Sequence, residues 1–322
     1  MSAAPSSPSQ TAARIPDASP GNWVDRAAPA AWVPYLRLAR FDRPIGAWLL
    51  LFPCWWGQSL AEVSLGHAYP NPWHVALFFV GAFVMRGAGC TYNDIVDRDY
   101  DARVARTAAR PIPSGQVTVA QAAAFFVALC AIGLVILLQF NPYTVVLGAA
   151  SLILVAIYPF MKRFTFWPQA VLGLTFKWGA LVGWAAQTAS LAAAAIVLYA
   201  GSVLWTIGYD TLYAHQDTDD DVTIGVKSTA VKFAERTQTW VGAFYAGALA
   251  LWAIAGWLAG AGWGMAVALV LCAVQMVWQI ATLDTSSPAN CLARFRSNKI
   301  VGWLVFLGLI ADMALAAAGG RP

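Results

Sequence analysis

Charged side chains are scarce in this chain, which has 322 residues and only 11% Asp, Glu, Lys and Arg. Soluble domains are usually about 25% charged and about 45–50% apolar, whereas 59% of the residues here are hydrophobic. So much apolar surface cannot be buried in one water-soluble core of this length, which excludes a soluble globular enzyme. The 16 Trp, 16 Phe and 10 Tyr also exclude a disordered chain, which is poor in aromatic residues. The composition therefore predicts an integral membrane protein.

Missing motifs exclude further functional classes. The five cysteines are scattered, without a Cys-x-x-Cys pair or a paired histidine, so neither a zinc site nor a disulfide framework is expected. The net charge is only +4 and there is no block of basic residues, which argues against nucleic acid as a partner. Residues 1–34 are rich in Ala, Pro and Ser and have no apolar signal core. We expect them to form a disordered, solvated tail.

The remaining chain, residues 35–322, alternates long apolar stretches with short polar breaks and is expected to form a single membrane domain. A membrane-spanning helix needs about 20 apolar residues, and irregular backbone is not tolerated against lipid. We therefore predict an all-α integral membrane protein, a bundle of nine transmembrane helices around a central cavity. The predicted spans are residues 45–65, 73–93, 117–139, 142–160, 168–187, 191–213, 238–259, 263–283 and 299–318.

Basic residues alternate in step with these spans. Seventeen of the 20 lysines and arginines lie in the N-terminal arm or in the second, fourth, sixth and eighth polar breaks, and the intervening breaks hold none. The positive-inside rule then predicts a cytoplasmic N-terminus and an external C-terminus. Because residues 1–34 also make a poor organellar transit peptide, we expect a bacterial inner membrane, with the mitochondrial inner membrane as the alternative.

Nine of the 16 acidic residues fall in two short windows at the cytoplasmic ends of predicted helices two and six. In NDIVDRDYD (residues 93–101), a continued helix groups four polar side chains within an arc of about 100° and turns Asp99 to the opposite side. In YDTLYAHQDTDDD (residues 209–221), three carboxylates fall within about 40° of one another. The grouped residues are Asn93, Asp94, Asp97 and Asp101 in the first window and Asp210, Asp217 and Asp221 in the second.

Stacked carboxylates repel one another, so each window requires a counter-charge. Mg²⁺ prefers oxygen ligands and commonly binds one or two carboxylates together with substrate phosphates. We therefore expect the two windows to hold Mg²⁺ and a diphosphate group. The alternative is an interfacial loop in which Asp and Arg pair in solvent, and the repetition of the pattern on the same side argues against it.

Basic side chains near the windows are candidates to bind the diphosphate. Arg86 lies inside predicted helix two, seven residues before Asn93, and a charge at that depth is a functional candidate. For Lys177, which is also intramembrane, a structural and a functional role stay equally open. Arginine grips a phosphate with two nitrogens, whereas lysine supplies a mobile charge. The expected substrate-binding residues are Arg86, Tyr158, Lys162, Arg163, Arg110 and Lys227.

Longer motifs around these residues resemble those of a known family. The first window with RTAARPIPSG (residues 106–115), and the second with IGVKSTA (residues 224–230), resemble the two signatures of UbiA-type aromatic prenyltransferases. The stretches RLARFDRPIGAWLLLFPCWWG (residues 37–57) and YPFMKRFTFWPQ (residues 158–169) resemble members that act on 4-hydroxybenzoate. The resemblance runs from about Arg37 to the C-terminus.

This resemblance implies a Mg²⁺-dependent enzyme of ubiquinone biosynthesis. Its implied reaction transfers a polyprenyl group from polyprenyl diphosphate to the ring carbon ortho to the hydroxyl of 4-hydroxybenzoate, and releases diphosphate. It also places Arg43 near the carboxylate of the acceptor. The implied catalytic residues are Asp97, Asp210 and Asp217, and the implied metal ligands are Asn93, Asp97, Asp101, Asp217 and Asp221, with Asp94 adjacent.

Two alternatives stay open at this point. A sister prenyltransferase that acts on homogentisate, naphthoate or haem shares the acidic windows, so the identity of the acceptor rests on the flanking motifs. A cation transporter, from a different class, also places carboxylates on membrane helices. Transporters tend to hold ions near the bilayer midplane, often between internal repeats, whereas here the carboxylates cluster at one interface without a convincing repeat.

Overall fold

The structure is a computed structural model that describes residues 21–103, 107–218, 225 and 227–319. Within these ranges every regular element is a helix, as expected where lipid-facing backbone must satisfy its hydrogen bonds internally. Short 3₁₀ turns follow two of the helices, at His215–Asp217 and Ala234–Arg236. The α-helices are α1 (Trp23–Ala27), α2 (Val33–Leu38), α3 (Ile45–Ser64), α4 (Pro72–Asp101), α5 (Val119–Leu137), α6 (Pro142–Phe164), α7 (Pro168–Lys177), α8 (Gly179–Thr188), α9 (Ala193–Ala214), α10 (Thr229–Phe233), α11 (Thr237–Leu258), α12 (Trp263–Ala281) and α13 (Pro288–Ala318).

Each predicted span falls on a helix, which confirms the prediction of an all-α membrane protein. Seven helical runs in the described part of the chain are long and apolar enough to cross a membrane. α3 and the α7–α8 pair are not among them, so the number nine stays a prediction. The single helix predicted for residues 168–187 is wrong in detail, because the chain breaks at Trp178. On either side of the break the chain contacts α3: Lys177 Nζ donates to the carbonyl of Leu49, and a Cβ at Gly179 would lie 2.5 Å from Cys54 Sγ.

The N-terminal segment is folded from Trp23 onward, so the predicted tail of residues 1–34 extends too far toward the C-terminus. The side chain of Asn22 caps α1. Trp23 Nε1 donates a hydrogen bond to the carbonyl of Phe41 at 3.1 Å, which ties α1 to the chain that leads into α3. Residues 1–20 lie outside the described part of the chain.

Glycines allow α3 and α8 to pack closely. A Cβ at Gly57 would collide with the carbonyl of Ala180, and a Cβ at Gly183 would collide with the carbonyl of Cys54. Small residues are common at contacts between membrane helices because they let two backbones approach. The contact holds α3, whose first turn borders the site described below, firmly against α8.

Three buried tryptophans join α3, α9 and α11 at the centre of the bundle. The rings of Trp56, Trp205 and Trp252 lie with their centroids 5.0–5.6 Å apart. Buried indole N–H groups need acceptors. Trp56 donates to the carbonyl of Gly302, and Trp205 donates to the side chain of Asn298 at 2.8 Å. Both acceptors lie on α13, so the core also fixes that helix.

Two acidic residues outside the windows, Asp312 and Glu62, have structural partners. Asp312 accepts hydrogen bonds from the backbone N–H groups of Gly264 and Met265, at 2.7 and 3.0 Å, and so caps the first turn of α12. Glu62 accepts from the backbone N–H of Asn71 at 2.7 Å, just before α4 begins. Carboxylates at helix N-termini satisfy amides that have no helical partner.

Contacts between polar breaks place them at one end of the bundle. Arg40, in the N-terminal arm, contacts Asp94 near the end of α4, and Lys162, at the end of α6, contacts Asp97. The backbone N–H of Lys227, before α10, donates to the carbonyl of Lys162 at 3.1 Å. The polar breaks that are rich in basic residues, which the charge alternation predicts on the same side of the membrane, therefore meet in the structure. The side of the membrane that they face stays a prediction.

Candidate active site

A cavity of about 570 Å³ lies between α3–α9 and α13. Apolar side chains and glycines form most of its wall, and polar side chains enter it from the N-terminal arm, α4, α6, α9 and the loop after α4. Residues that are far apart in the sequence thus converge on one space. The predicted site residues among those that line it are Arg43, Arg86, Asn93, Asp94, Arg110, Tyr158 and Asp210.

The first acidic window is helical throughout, because α4 runs unbroken to Asp101. Asp94 and Asp97 are fully buried, and Asp101 is 7% exposed. The side chain of Asp99 is 73% exposed. Residues three or four apart share one helix face. The predicted split of this window into an inner face and an outward-facing Asp99 is therefore confirmed.

Asp97 lies between two cations from the end of α6. Lys162 Nζ is 2.6 Å from Asp97 Oδ2, and Arg163 Nη2 is 3.3 Å from Oδ1. The Arg163 guanidinium also lies over the ring of Tyr100, with its central carbon 4.9 Å from the ring centroid. Lys162 and Arg163, predicted to bind substrate, thus neutralise a fully buried carboxylate that belongs to the predicted metal site.

Arg40 ends α2 in a left-handed conformation, with φ at 62°. The N–H of Phe41 bonds to the carbonyl of Leu36, and that of Arg40 to the carbonyl of Arg37. This pair of bonds is a Schellman motif, in which glycine is the usual left-handed residue. Here the arginine side chain adds a second function, because Nη1 donates to the carbonyls of Arg37 and Leu38 while Nη2 points to the acidic window.

Two arginines hold Asp94. Arg40 Nη2 lies 2.6 and 2.9 Å from its two oxygens, and Arg110 Nη1 lies 3.2 Å from Oδ1. Arg110 Nη1 also lies 2.7 Å from Asp101 Oδ2, so it bridges the two carboxylates. Sequence reasoning counted Arg40 only among the basic residues of the N-terminal arm. Its position three residues before Arg43 in RLARFDRPIG was the available signal.

Arg86 is the intramembrane cation of the cavity. Its guanidinium lies over the ring of Phe176, with the central carbon 5.0 Å from the centroid, and its buried Nε has no hydrogen-bond partner among the described residues. A Cβ at Gly46 would lie 2.6 Å from this Nε, so α3 leaves room for the arginine only because it carries glycine there. The charges of Arg86 and Lys177 both act on Asp210, which faces the same cavity.

Lys177 has a structural partner that follows from a proline. Pro53 lies inside α3 and has no N–H, so it leaves the carbonyl of Leu49 without its helical donor. Lys177 Nζ, fully buried, donates to this carbonyl at 2.8 Å and lies 4.5 Å from the ring centroid of Trp205. Of the two roles left open by the sequence, the contacts favour the structural one.

The second acidic window is described only in part. Asp210 lies in the last two turns of α9 and faces the cavity. Lys227, predicted to bind substrate, lies beside the end of α6, where its Nζ is 3.4 Å from the carbonyl of Phe164. The side chains of Asp217 and Asp221, predicted as metal ligands, lie outside the described part of the structure.

Asp42 lies beside the cavity arginine Arg43, between α2 and α3. Its side chain is buried, its two oxygens have no hydrogen-bond partner among the described residues, and Arg43 Nη1 is 3.9 Å away. Burial raises the pKa of the Asp42 carboxyl, while the positive charges of Arg43 and Arg40 oppose the shift. The net result is a pKa above the ordinary value, so burial outweighs the arginines.

The donor chemistry of the first window fits Mg²⁺, because it offers carboxylate and amide oxygens. Among the described side chains, however, no three Asp, Glu, His or Cys converge on one point. The buried carboxylates contact arginine and lysine instead, and the rest of the predicted ligand set belongs to the second window. Asn93 and Asp94 line the cavity directly. The side chains of the first window are therefore of the chemical type that binds a cation with a preference for oxygen ligands.

Fold and site together define a helical, multi-pass membrane protein with an apolar cavity that ends in paired acidic and basic side chains. The chain belongs to the UbiA prenyltransferase family, whose model matches residues 50–318. The resemblance seen in the acidic windows and their flanking motifs is therefore confirmed.

Curated relatives are similar over most of the chain. A protein of Arabidopsis thaliana described as "4-hydroxybenzoate polyprenyltransferase, mitochondrial" is 47% identical over 290 residues, which cover 90% of this chain and 71% of that protein. A human protein with the same description is 45% identical over 284 residues, which cover 88% of this chain and 76% of that protein.

Solved structures share the fold. The apo structure of a UbiA homolog from Aeropyrum pernix K1 matches with a TM-score of 0.69 at 27% identity, covering 82% of this chain and 98% of that one. A UbiA homolog from Archaeoglobus fulgidus bound to GPP and Mg²⁺ matches with a TM-score of 0.64 at 20% identity, covering 87% of this chain and 99% of that one. The second likeness concerns the fold alone.

Proposed function

We propose that the protein transfers a polyprenyl group from polyprenyl diphosphate to 4-hydroxybenzoate, at the ring carbon ortho to the hydroxyl, in ubiquinone biosynthesis. The observation that carries the proposal is an apolar cavity whose wall also holds Arg86, Asn93, Tyr158 and Asp210. Such a cavity suits a donor with a long hydrocarbon chain and a charged head. The identity to relatives described as 4-hydroxybenzoate polyprenyltransferases supports this choice of acceptor.

The diphosphate head of the donor is proposed to lie where α4 and α6 meet. Arg86 and Tyr158 face the cavity there, and Lys162, Arg163 and Arg110 already contact the carboxylates of α4. Guanidinium groups bind phosphate oxygens with two nitrogens, and lysine adds a compact charge. Lys227, beside the end of α6, is proposed to extend this basic set.

Asn93, Asp97 and Asp101, with Asp217 and Asp221 from the second window, are proposed to hold Mg²⁺. A bound Mg²⁺ supplies charge neutralisation of the departing diphosphate. Asp94 is adjacent to this set, but Arg40 contacts both of its oxygens, so a cation would have to displace the arginine to bind it. The Mg²⁺ bound by the Archaeoglobus homolog supports the choice of metal.

The proposed reaction breaks the bond between the allylic carbon and the diphosphate oxygen. Arg86 and Lys162 stabilise the charge on the leaving diphosphate, and the ring of Phe176, beside Arg86, belongs to the aromatic, water-poor wall that shelters the allylic cation. The ring carbon of the acceptor then forms the new C–C bond, and a base removes its proton to restore the aromatic ring. Arg43 is proposed to hold the carboxylate of the acceptor, and Asp210 is proposed to face its ring.

The membrane is proposed to be one in which ubiquinone is made. The relatives described as mitochondrial agree with the mitochondrial inner membrane, the alternative raised from the sequence. A bacterial inner membrane, which the sequence favours, stays a prediction. Fractionation of the native cells with antibody detection of the protein distinguishes the two.

An assay with the purified protein in nanodiscs tests the function. It combines prenyl diphosphates of several lengths with 4-hydroxybenzoate, homogentisate, a hydroxynaphthoate or haem, in Mg²⁺ or EDTA, and separates the lipid extract by chromatography. We expect a prenylated product from 4-hydroxybenzoate in Mg²⁺ and none in EDTA. Product from another acceptor alone would overturn the choice of substrate. Cation flux in proteoliposomes without any product would instead support the transporter alternative.

A further inference from the structure

The main cavity ends at two stacked phenylalanine rings. Phe78 lies near the start of α4 and Phe140 in the turn between α5 and α6, and both line the cavity. Their ring centroids are 4.9 Å apart, their planes differ by 22°, and both residues are buried. Along α4 the cavity wall runs from Leu77 to Asp94, so the two rings lie at the end remote from the acidic window. We call this pair the aromatic floor.

Contacts with α8 hold the aromatic floor in place. The ring of His74 packs on Phe140, with the centroids 5.0 Å apart, and His74 Nδ1 is 2.7 Å from Gln187 Nε2 on α8. Next to Phe140, the side chain of Asn141 donates to the carbonyl of Ala185, also on α8, at 2.9 Å. Neither His74 nor Gln187 is among the residues that line the cavity. The floor is therefore supported from its far side by side chains outside the cavity.

The cavity wall is open at one side. Leu134 on α5 and Leu152 on α6 line the cavity, yet they are 53% and 50% exposed. Both helices are long and apolar enough to cross a membrane, so this opening faces hydrocarbon in a bilayer. A hydrocarbon chain that meets the aromatic floor therefore has an apolar way out between α5 and α6.

The rise of α4 gives the length of chain that fits between the diphosphate site and the aromatic floor. Arg86, proposed to bind the diphosphate, follows Phe78 by eight residues on α4, which is about 12 Å along the helix axis. Three chain bonds span about 3.8 Å between consecutive Cα atoms, so the four chain bonds of an isoprene unit span about 5 Å when extended. About two to three isoprene units therefore reach from the diphosphate site to the floor.

We propose that the aromatic floor is the end stop for the donor chain in the cavity. This proposal rests on the proposed function, since it concerns the donor of that reaction. The floor divides the polyprenyl chain into an inner segment of about two to three isoprene units, which the cavity binds, and an outer segment, which leaves between α5 and α6. Donors of different total length then present the same inner segment to the protein, so Phe78 and Phe140 set how many units it recognises.

A competition assay in nanodiscs tests the end stop. Equal amounts of donors with two, three, four and eight isoprene units compete for 4-hydroxybenzoate, and mass spectrometry of the products gives the ratios of their kcat/KM values. Phe140→Trp fills part of the inner space, so the yields from donors of three or more units should fall about tenfold relative to the two-unit donor, as overpacking predicts. Phe140→Ala should raise the relative yield from the four-unit donor about threefold, because the chain gains packing contacts beyond the former floor.

These opposite shifts distinguish an end stop from a loss of fold, which lowers all products together. Every variant meets the same donor mixture, so partition of the donors into the bilayer cancels in the comparison. Phe79→Trp is the matched control, because Phe79 is 39% exposed, packs against Phe83 and does not line the cavity. It should keep the wild-type product ratios. If Phe79→Trp shifts the ratios as Phe140→Trp does, or if neither Phe140 variant shifts them, the end stop is wrong.

Photolabelling without turnover separates failure of this proposal from failure of the function. Donor analogues with sulfur in place of the bridging oxygen and a diazirine at the chain end are irradiated with the wild type, and the labelled peptides are identified by mass spectrometry. The three-unit analogue should label the aromatic floor, and the eight-unit analogue should label only α5 or α6 near Leu134 and Leu152. This pattern supports the end stop even in a preparation that makes no product. Labelling of His74 or Gln187 by the eight-unit analogue, in a preparation that prenylates 4-hydroxybenzoate, overturns the end stop and leaves the function intact.

Discussion

Arg40 Nη2 lies within 2.9 Å of both carboxylate oxygens of Asp94, and this contact joins the N-terminal arm to the first acidic window. Arg40 occupies a left-handed position that glycine usually takes at a helix end. A left-handed L-residue costs about 1–2 kcal/mol relative to a relaxed one. The ion pair with a fully buried partner explains why an arginine is nevertheless found there.

Arg40→Gly should therefore destabilise the protein although it relaxes the backbone. Removal of one partner from a buried ion pair costs about 3–5 kcal/mol, more than the strain that glycine relieves. Thermal unfolding in detergent should show a clearly lower unfolding temperature for Arg40→Gly than for the wild type. Arg98→Ala is the matched control, since its contact with Asp99 on the same helix is exposed. Equal stability of the Arg40 and Arg98 variants would contradict the ion-pair argument.

Gly46→Ala should disturb Arg86 without unfolding the bundle. The added methyl group would meet the arginine at about its Nε, so the guanidinium must shift within the cavity. We expect the KM for the prenyl diphosphate to rise, with a minor change in unfolding temperature. Gly242→Ala serves for comparison, since its Cβ would meet only a side-chain methyl at 3.7 Å. If both substitutions leave the kinetics unchanged, Arg86 does not contribute to binding as proposed.

The pairing of Lys177 with Leu49 predicts a rescue by Pro53→Ala. Lys177→Met leaves the carbonyl of Leu49 buried and unsatisfied, which costs about 1–3 kcal/mol. Pro53→Ala restores a helical N–H that satisfies the same carbonyl. In a double-mutant cycle of unfolding temperatures, Lys177→Met should be less damaging in the Pro53→Ala background. Strict additivity would show that the two positions do not share this acceptor.

Asp42 should make stability depend on pH. Burial raises its pKa above the ordinary value of 3.8, so between these two pKa values the folded protein binds more protons than the unfolded chain. This group's contribution to stability therefore falls as the pH rises through that interval. The Asp42→Asn variant lacks this ionisable group. Its unfolding temperature relative to that of the wild type should therefore increase as the pH rises through this interval. If the unfolding temperature of the wild type instead increases relative to that of the variant as the pH rises, the charges of the arginines outweigh the effect of burial on the pKa of Asp42.

The sequence predicts most of the helices and the first acidic window of the site, because both depend on patterns between residues that are close together in the chain. Long apolar stretches mark the membrane helices, and the spacing of Asp94, Asp97 and Asp101 fixes their common face. The role of Arg40 depends on contacts 54 residues away in the chain, and periodicity carries no such information. The break at Trp178 lies between two helices that both contact α3, and the uniformly apolar composition of that stretch does not indicate it.

The most direct test compares aspartates of one helix that differ in the face they occupy. Asp97 is buried between Lys162 and Arg163, whereas Asp99 is exposed two residues later. With 4-hydroxybenzoate, prenyl diphosphate and Mg²⁺, Asp97→Ala and Asp217→Ala should abolish product formation while membrane insertion is retained, and Asp99→Ala should keep wild-type turnover. Full activity in Asp97→Ala and Asp217→Ala would contradict the assignment of the acidic windows as the reaction site.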